Sequence, residues 1–187
     1  PIATFLHPIR VEGLENLPQG EPVLLCPNHS SNWDPILLMC ALGRSVNLRI
    51  MGKNQLFKIP ILRTFIRKMG VFPVDRGHSD IGAVKTSIQA LRDGDLLMVF
   101  PEGTRVRKKN RGVRPKGGVA MMAIRGGAKL MPIYIGTKKR LFAPVPIIFG
   151  KPFAPEYTGR KGTAEEYQAN ADKVMRQAYA LGGEAWT

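Results

Sequence analysis

Residues 71–100 read "VFPVDRGHSDIGAVKTSIQALRDGDLLMVF", and this stretch decides the fold class. Two short apolar runs, 71–74 and 96–100, have the length of buried strands. Between them Ile81, Val84, Ile88 and Leu91 recur at helical spacing. Ser79 and Asp80 stand at the helix start, where a short polar side chain accepts from first-turn N–H groups, and Gly94 follows its end. Strand, helix, strand is the unit that carries a chain from one parallel strand to the next. The alternation extends in both directions, with further strands expected at 23–26, 48–51, 130–135 and 145–149. A last helix is marked by Thr163 and Glu166 in a capping-box pattern, by the stripe Tyr167, Ala171, Val174, Ala178 and Leu181, and by Gly182 and Gly183 behind it. There is no internal repeat and no linker. The pattern predicts one α/β domain over residues 1–187, a mixed and mostly parallel sheet flanked by helices.

With 187 residues, 44% of them apolar, the chain has the core of a single domain. Its longest apolar run, 36–42, is far short of the roughly 18 to 20 residues that a bilayer-spanning helix needs, so no membrane span is expected. The start, "PIATFLHPIR" (1–10), has neither a basic leader nor a sustained apolar centre, and no secretory signal is expected in it. Cys26 falls in an expected strand and Cys40 in an expected helix, which fits buried free thiols in a reducing compartment better than a disulfide framework. The charge is more telling: 28 Lys plus Arg against 14 Asp plus Glu leaves +14. An anionic partner follows, whether nucleic acid, an anionic membrane surface, an acidic carrier protein or a phosphorylated small molecule. The excess concentrates in "RVRKKNRGVRPK" (105–116), which holds seven basic residues and no acidic one. That run also lacks any aromatic residue for base stacking, so specific nucleic-acid binding ranks low. In 61–69, Leu62, Phe65, Ile66 and Met69 gather opposite Arg63, Thr64, Arg67 and Lys68. Such a face suits packing on a sheet or lying in a bilayer interface; with Leu56 and Phe57 beside it, the two readings stand about even.

Only three histidines compete for the part of a general base. His29 sits in "NHSSNWD" (28–34), five residues before Asp34. Asp34 precedes Pro35 and an apolar run, so it is expected to cap a helix. The same carboxylate can hold the far nitrogen of the imidazole, fixing its tautomer and stabilising the imidazolium formed when the other nitrogen takes a proton. Ser30 and Ser31 remain open as nucleophiles by spacing. "GHSDI" (77–81) lacks the final glycine of a nucleophile elbow and reads as a helix cap. Without a protein nucleophile, the histidine would activate a substrate hydroxyl directly. "FPEGTR" (100–105) ends a strand, the address at which open α/β sheets bind ligands. There Gly103 permits close approach, Glu102 and Thr104 can position each other or a substrate hydroxyl, and Arg105 can grip phosphate through two N–H groups. "GVFPVDRG" (70–77) ends its strand with a second arginine, Arg76. Lys116, ahead of Gly117, Gly118 and a helical pattern, adds a cation and helix N-terminal donors to this phosphate seat.

In this order the blocks resemble the lysophospholipid acyltransferase family, with its bacterial 1-acyl-glycerol-3-phosphate acyltransferases nearest. His29 and Asp34 match the family's H-x4-D motif, 70–76 its second block, 100–105 its F-P-E-G-T-R block, and "LMPIYI" (130–135), with Pro132 in place, its fourth. The resemblance implies a glycerol-3-phosphate acyltransferase-like fold and transfer of a fatty acyl group from acyl-CoA or acyl-acyl-carrier-protein to the sn-2 hydroxyl of a lysophosphatidate. It makes His29 the general base and Asp34 its orienting partner. Arg76, Arg105 and Lys116 would hold the glycerol phosphate, with Glu102, Gly103 and Thr104 at the acceptor site. It implies no cofactor and no metal, and places the enzyme peripherally on the cytoplasmic face of the cell membrane. Another lysolipid acceptor fits the same His and Asp, and so does a hydrolase that uses water. Family members often carry apolar helices ahead of the first block, whereas about twenty residues precede the first expected strand here. Docking is then expected to use 56–69, the basic surface, or a segment outside this chain.

Overall fold

The computed structural model describes residues 2–43, 46–74, 80–106 and 113–186. Arg76, the centre of the basic run (107–112), residues 77–79, and the side chains of Leu62 and Phe65 lie outside the described set. Seven strands form one sheet: β1 (Ile9–Glu12), β2 (Val23–Pro27), β3 (Leu48–Lys53), β4 (Val71–Val74), β5 (Leu96–Met98), β6 (Lys129–Ile135) and β7 (Val145–Phe149), in the order β1-β7-β6-β2-β5-β3-β4. Strands β2 to β6 all run parallel, β7 runs antiparallel to β6, and β1 pairs parallel with β7. The mixed, mostly parallel sheet is as the alternation predicts. The unexpected strand is β1, four residues reading "IRVE", too short for a period to register until its edge pairing with β7 selects it.

Central β2 shows why its sequence is apolar throughout. Val23 and Leu25 join the core on one face, where α2 (Asp34–Leu42) supplies Leu37, Leu38 and Leu42. Leu24 and Cys26 join the core on the other face, covered by α4 (Ile81–Arg92), α5 (Gly118–Gly126) and α6 (Ala164–Leu181). A strand buried on both faces has no solvent side to carry polar residues. The capping signals at two helices act as their residue types predict. Asp80 accepts from Ala83 N–H at 2.8 Å, and Thr163 and Glu166 form a reciprocal capping box. A short helix α1 (Ile2–Leu6) precedes β1, and α3 (Pro60–Lys68) lies between β3 and β4.

The strand directions assemble one functional rim. Strands β2 to β6 end at the same edge, and β1 and β7, running the other way, begin there. That edge collects α1, the turn after β2 (28–33), the 3-10 turn Asn54–Lys58, the turn after β5 (99–106), and the β6–β7 loop (136–144). Val99 and Phe100, expected inside β5, lie just past its end. On α3, Ile66 is buried and Ile61 is 88% exposed, so this helix both packs and presents apolar surface. Among the described residues, no helix is long and apolar enough to cross a membrane.

Candidate active site

The turn after β2 places His29 at the rim, with 9% of its surface exposed. Its Nδ1–H donates to Asp34 Oδ2 at 2.9 Å, since an ionised carboxylate only accepts. The same oxygen accepts from Ser30 N–H and Ser31 N–H, each at 2.7 Å. Asp34 therefore does not cap α2 as expected: it is the first helical residue, its side chain makes no bond to the first helical turn, and Trp33 holds the cap position. The carboxylate folds back because four donors lie behind it. Asp34 is fully buried, which alone would raise its pKa; the His29 hydrogen bond and the Lys139 charge outweigh burial and hold it below the usual carboxylate value. The nitrogen left over on His29, Nε2, has no partner among the described residues and faces chemistry as an acceptor.

Glu102 has a different part from the one expected. It is 2% exposed, and its oxygens are both engaged inside the protein. Oε2 accepts from the His29 backbone N–H at 2.8 Å, and Oε1 accepts from Tyr179 O–H at 2.6 Å. It thus pairs with neither Thr104, which is exposed, nor an incoming hydroxyl; it anchors the backbone of the histidine. Burial, the dominant effect, pushes its carboxyl up to about 7 against the lowering by the Tyr179 and His29 donors, and the Asp34 charge adds to the rise. Burial and the Glu102 charge push the Tyr179 phenol far above its ordinary range, which keeps that hydroxyl a donor. From the other side, Val106 N–H donates to His29 O at 2.7 Å, tying the segment that holds Arg105 to the histidine. The Phe100 ring stacks on the imidazole, centroids 4.0 Å apart and planes at 28°.

Phe100 also lines a cavity of roughly 200 Å³ between the sheet, α4 and α5. Met51, Val84, Val99, Val119 and Met122 make its wall apolar, and Gly103 and Lys116 stand at its edge. Gly103 has φ +64°, the left-handed region that favours glycine, and a Cβ there would stand 3.2 Å from the Lys116 stem, which would have to give by a few tenths of an ångström. Lys116 N–H is bound to Pro101 O at 2.9 Å. The structure therefore brings His29, Asp34, Glu102, Gly103, Arg105 and Lys116 to one rim, with Thr104 exposed beside them. Sequence reasoning missed Tyr179 and Lys139, which enter from α6 and the β6–β7 loop. Tyr179 lies outside the stripe expected to form the buried face of that helix, yet the structure buries it; Lys139 carried no signal, since a lysine in a loop is ordinarily solvated.

The sequence profile of the family described as Acyltransferase matches residues 8–136. Among curated relatives, the 1-acyl-sn-glycerol-3-phosphate acyltransferase of Bacillus subtilis is 32% identical over 149 residues, 77% of this chain and 73% of that protein. The chloroplastic enzyme of the same name from Arabidopsis thaliana is 34% identical over 136 residues, 71% of this chain but 37% of that protein. The crystal structure of the 1-acyl-sn-glycerophosphate acyltransferase PlsC from Thermotoga maritima matches with a TM-score of 0.72 at 25% identity, covering 97% of this chain and 74% of that one. The chain thus spans between 37% and 74% of the length of these relatives.

Proposed function

The chain belongs to the acyltransferase family, and from that premise we propose that it transfers a fatty acyl group from a thioester, acyl-CoA or acyl-acyl-carrier-protein, to the sn-2 hydroxyl of 1-acyl-glycerol-3-phosphate. The observation that carries this reading is the imidazole of His29, with Nδ1 held by a buried carboxylate and Nε2 left to accept a proton at the ligand-binding rim. Nε2 takes the hydroxyl proton as the oxygen attacks the thioester carbonyl; the C–S bond of the tetrahedral intermediate then breaks, and the imidazolium returns its proton to the thiolate. Products are phosphatidate and a free thiol, with no acyl-enzyme. Asp34 stabilises the imidazolium, Lys116 and Arg105, with Arg76, receive the phosphate, and the apolar cavity beside Phe100 takes a fatty acyl chain.

Exposed apolar side chains flank the site on the same rim, and we assign them to the surface of an anionic bilayer on the cytoplasmic face. Leu56, Ile59 and Ile61 stand on one side among exposed Lys53, Lys58 and Arg63. Phe5, Leu141 and Phe142 stand on the other beside Lys138 and Arg140, the two phenyl rings in edge contact at 5.9 Å. Apolar residues enter the interface while each nearby lysine or arginine adds about 1 kcal/mol of attraction to anionic lipid.

The test is thiol release from acyl-CoA or acyl-acyl-carrier-protein, with and without lysophosphatidate, by the protein and by His29→Ala. Release that needs both lysophosphatidate and His29 supports the reading. Release of free fatty acid without an acceptor would replace it with a hydrolase, and dependence on a different lysolipid would move the acceptor.

A further inference from the structure

We propose that Lys139 is a positioning residue of the His29–Asp34 pair: a buried cation that locks the Asp34 carboxylate and sets the pH at which His29 releases its proton. Lys139 comes from the β6–β7 loop, its side chain is 7% exposed, and its Nζ lies 2.7 Å from Asp34 Oδ1, an ion pair closed off from water on both sides. The same Nζ donates to Ser30 Oγ at 2.9 Å and to Gly136 O at 2.7 Å. Two of the three ammonium N–H groups thus have hydrogen-bond acceptors, and the charge of Asp34 Oδ1 stands against the same nitrogen as an ion pair. Taking a lysine out of water is unfavourable unless a counter-charge and hydrogen-bond acceptors replace the water, so a lysine held this way is a built feature of the site and differs from an exposed ion pair.

Two consequences follow for the imidazole. Oδ2 of Asp34 is held by His29, Ser30 and Ser31, and Oδ1 by Lys139, which fixes the carboxylate plane and through it the ring. The Lys139 charge also opposes that of Asp34. The cation thereby offsets part of the attraction that the carboxylate exerts on an imidazolium. Other groups face the pair as well. Glu102, from the turn after β5, holds His29 N–H with Tyr179 of α6 behind it, Arg105 follows on the same turn, and His7 packs edge-on against Trp33. Because Glu102 itself titrates near neutrality, the test is made in a Glu102→Gln background.

The inference rests on His29 as the general base, and its test has a readout independent of turnover. Protein labelled with 15N-histidine is titrated by NMR with Lys139, Lys139→Met or Lys139→Arg, and kcat/KM for thiol release is measured across the same pH range. Lys139→Met is expected to move the His29 midpoint and the acidic limb of kcat/KM up together by about one pH unit, the low end of what one adjacent charge does. KM for lysophosphatidate should stay within about twofold, while Lys139→Arg, which keeps the charge, should leave the midpoint within a few tenths of a unit. If Lys139→Met does not fold, Lys139→Gln, which offers Asp34 a donor without a charge, is expected to show the same rise. An unmoved midpoint in the neutral variants, or an equal rise in Lys139→Arg, overturns the proposal. A midpoint that moves in a protein without acyl transfer would sink the proposed activity and leave the coupling standing.

Discussion

Replacing Glu102 with glutamine tests whether the site is built on a carboxyl that pays an ionisation cost. Glu102 is 2% exposed and its carboxyl is pushed up to about 7 from the ordinary 4.5. The folded protein therefore binds this proton more tightly than the unfolded chain. Stability from this group is fully present below pH 4.5, declines as pH rises from 4.5 to 7, and is level above. About 2.5 pH units at ~1.4 kcal/mol each comes to about 3.5 kcal/mol lost by pH 8. Glutamine keeps an acceptor for His29 N–H and places its amide beside the Tyr179 hydroxyl, yet does not ionise. Urea unfolding of both proteins at pH 5 and pH 8 isolates the effect, because titrating groups that do not interact with Glu102 cancel in the difference. The two should differ by no more than about 1 kcal/mol at pH 5, the worth of one neutral hydrogen bond. At pH 8, Glu102→Gln should gain about 2.5 kcal/mol relative to that difference, since about 1 kcal/mol of the loss has already occurred at pH 5. A gap that stays constant to within about 0.5 kcal/mol between the two pH values would refute the reasoning, and a gap of opposite sign would mean that the ionised carboxylate is stabilising.

Asp34→Asn is expected to lower kcat by on the order of 10³- to 10⁴-fold with the fold retained, as loss of the orienting carboxylate does in the comparable serine-protease arrangement, measured as thiol release beside a circular-dichroism melt. Because the Asp34 carboxyl is held below its usual value, its contribution to stability is present above the ordinary carboxylate range and is lost only as pH falls beneath it; acid unfolding of the unaltered protein should therefore begin at lower pH than that of a chain with an unperturbed carboxyl, and Asp34→Asn should remove that acid-side slope. Thr163→Ala breaks the capping box of α6 and should lower unfolding stability by about 1 kcal/mol with little effect on turnover, read from urea midpoints. Ile61→Asp and Phe142→Asp, at two exposed positions on opposite sides of the site, should each weaken sedimentation with vesicles rich in anionic lipid while leaving stability within about 0.5 kcal/mol; binding equal to that of the unaltered protein would remove those positions from the docking face.

The strand–helix–strand unit within 71–100 was legible because local rules mark its elements: apolar runs of strand length, a helical period, a capping aspartate. β1 was not, because four residues cannot carry a period, and only the edge of β7 makes them a strand. The tertiary structure also reversed a local inference at Asp34. Asp-Pro ahead of an apolar run reads as a helix cap, but a carboxylate goes to the strongest set of donors within reach, and here those are His29, two backbone N–H groups and Lys139 behind it. Glu102 shows the same limit: its motif announced a functional loop, and only the packing of α6 revealed that Tyr179 and the His29 backbone engage both its oxygens.

By itself the sequence determined the α/β class, the mostly parallel sheet and the pairing of His29 with Asp34, since each depends on residues close together along the chain. What only the tertiary structure decided is the company those residues keep. Lys139 lies more than a hundred residues from Asp34, and Tyr179 lies 77 from Glu102. Contacts of that reach are made by strand order and helix packing; the chain leaves no local trace of them, because a lysine or tyrosine bound for the interior is chemically the same residue as one bound for water.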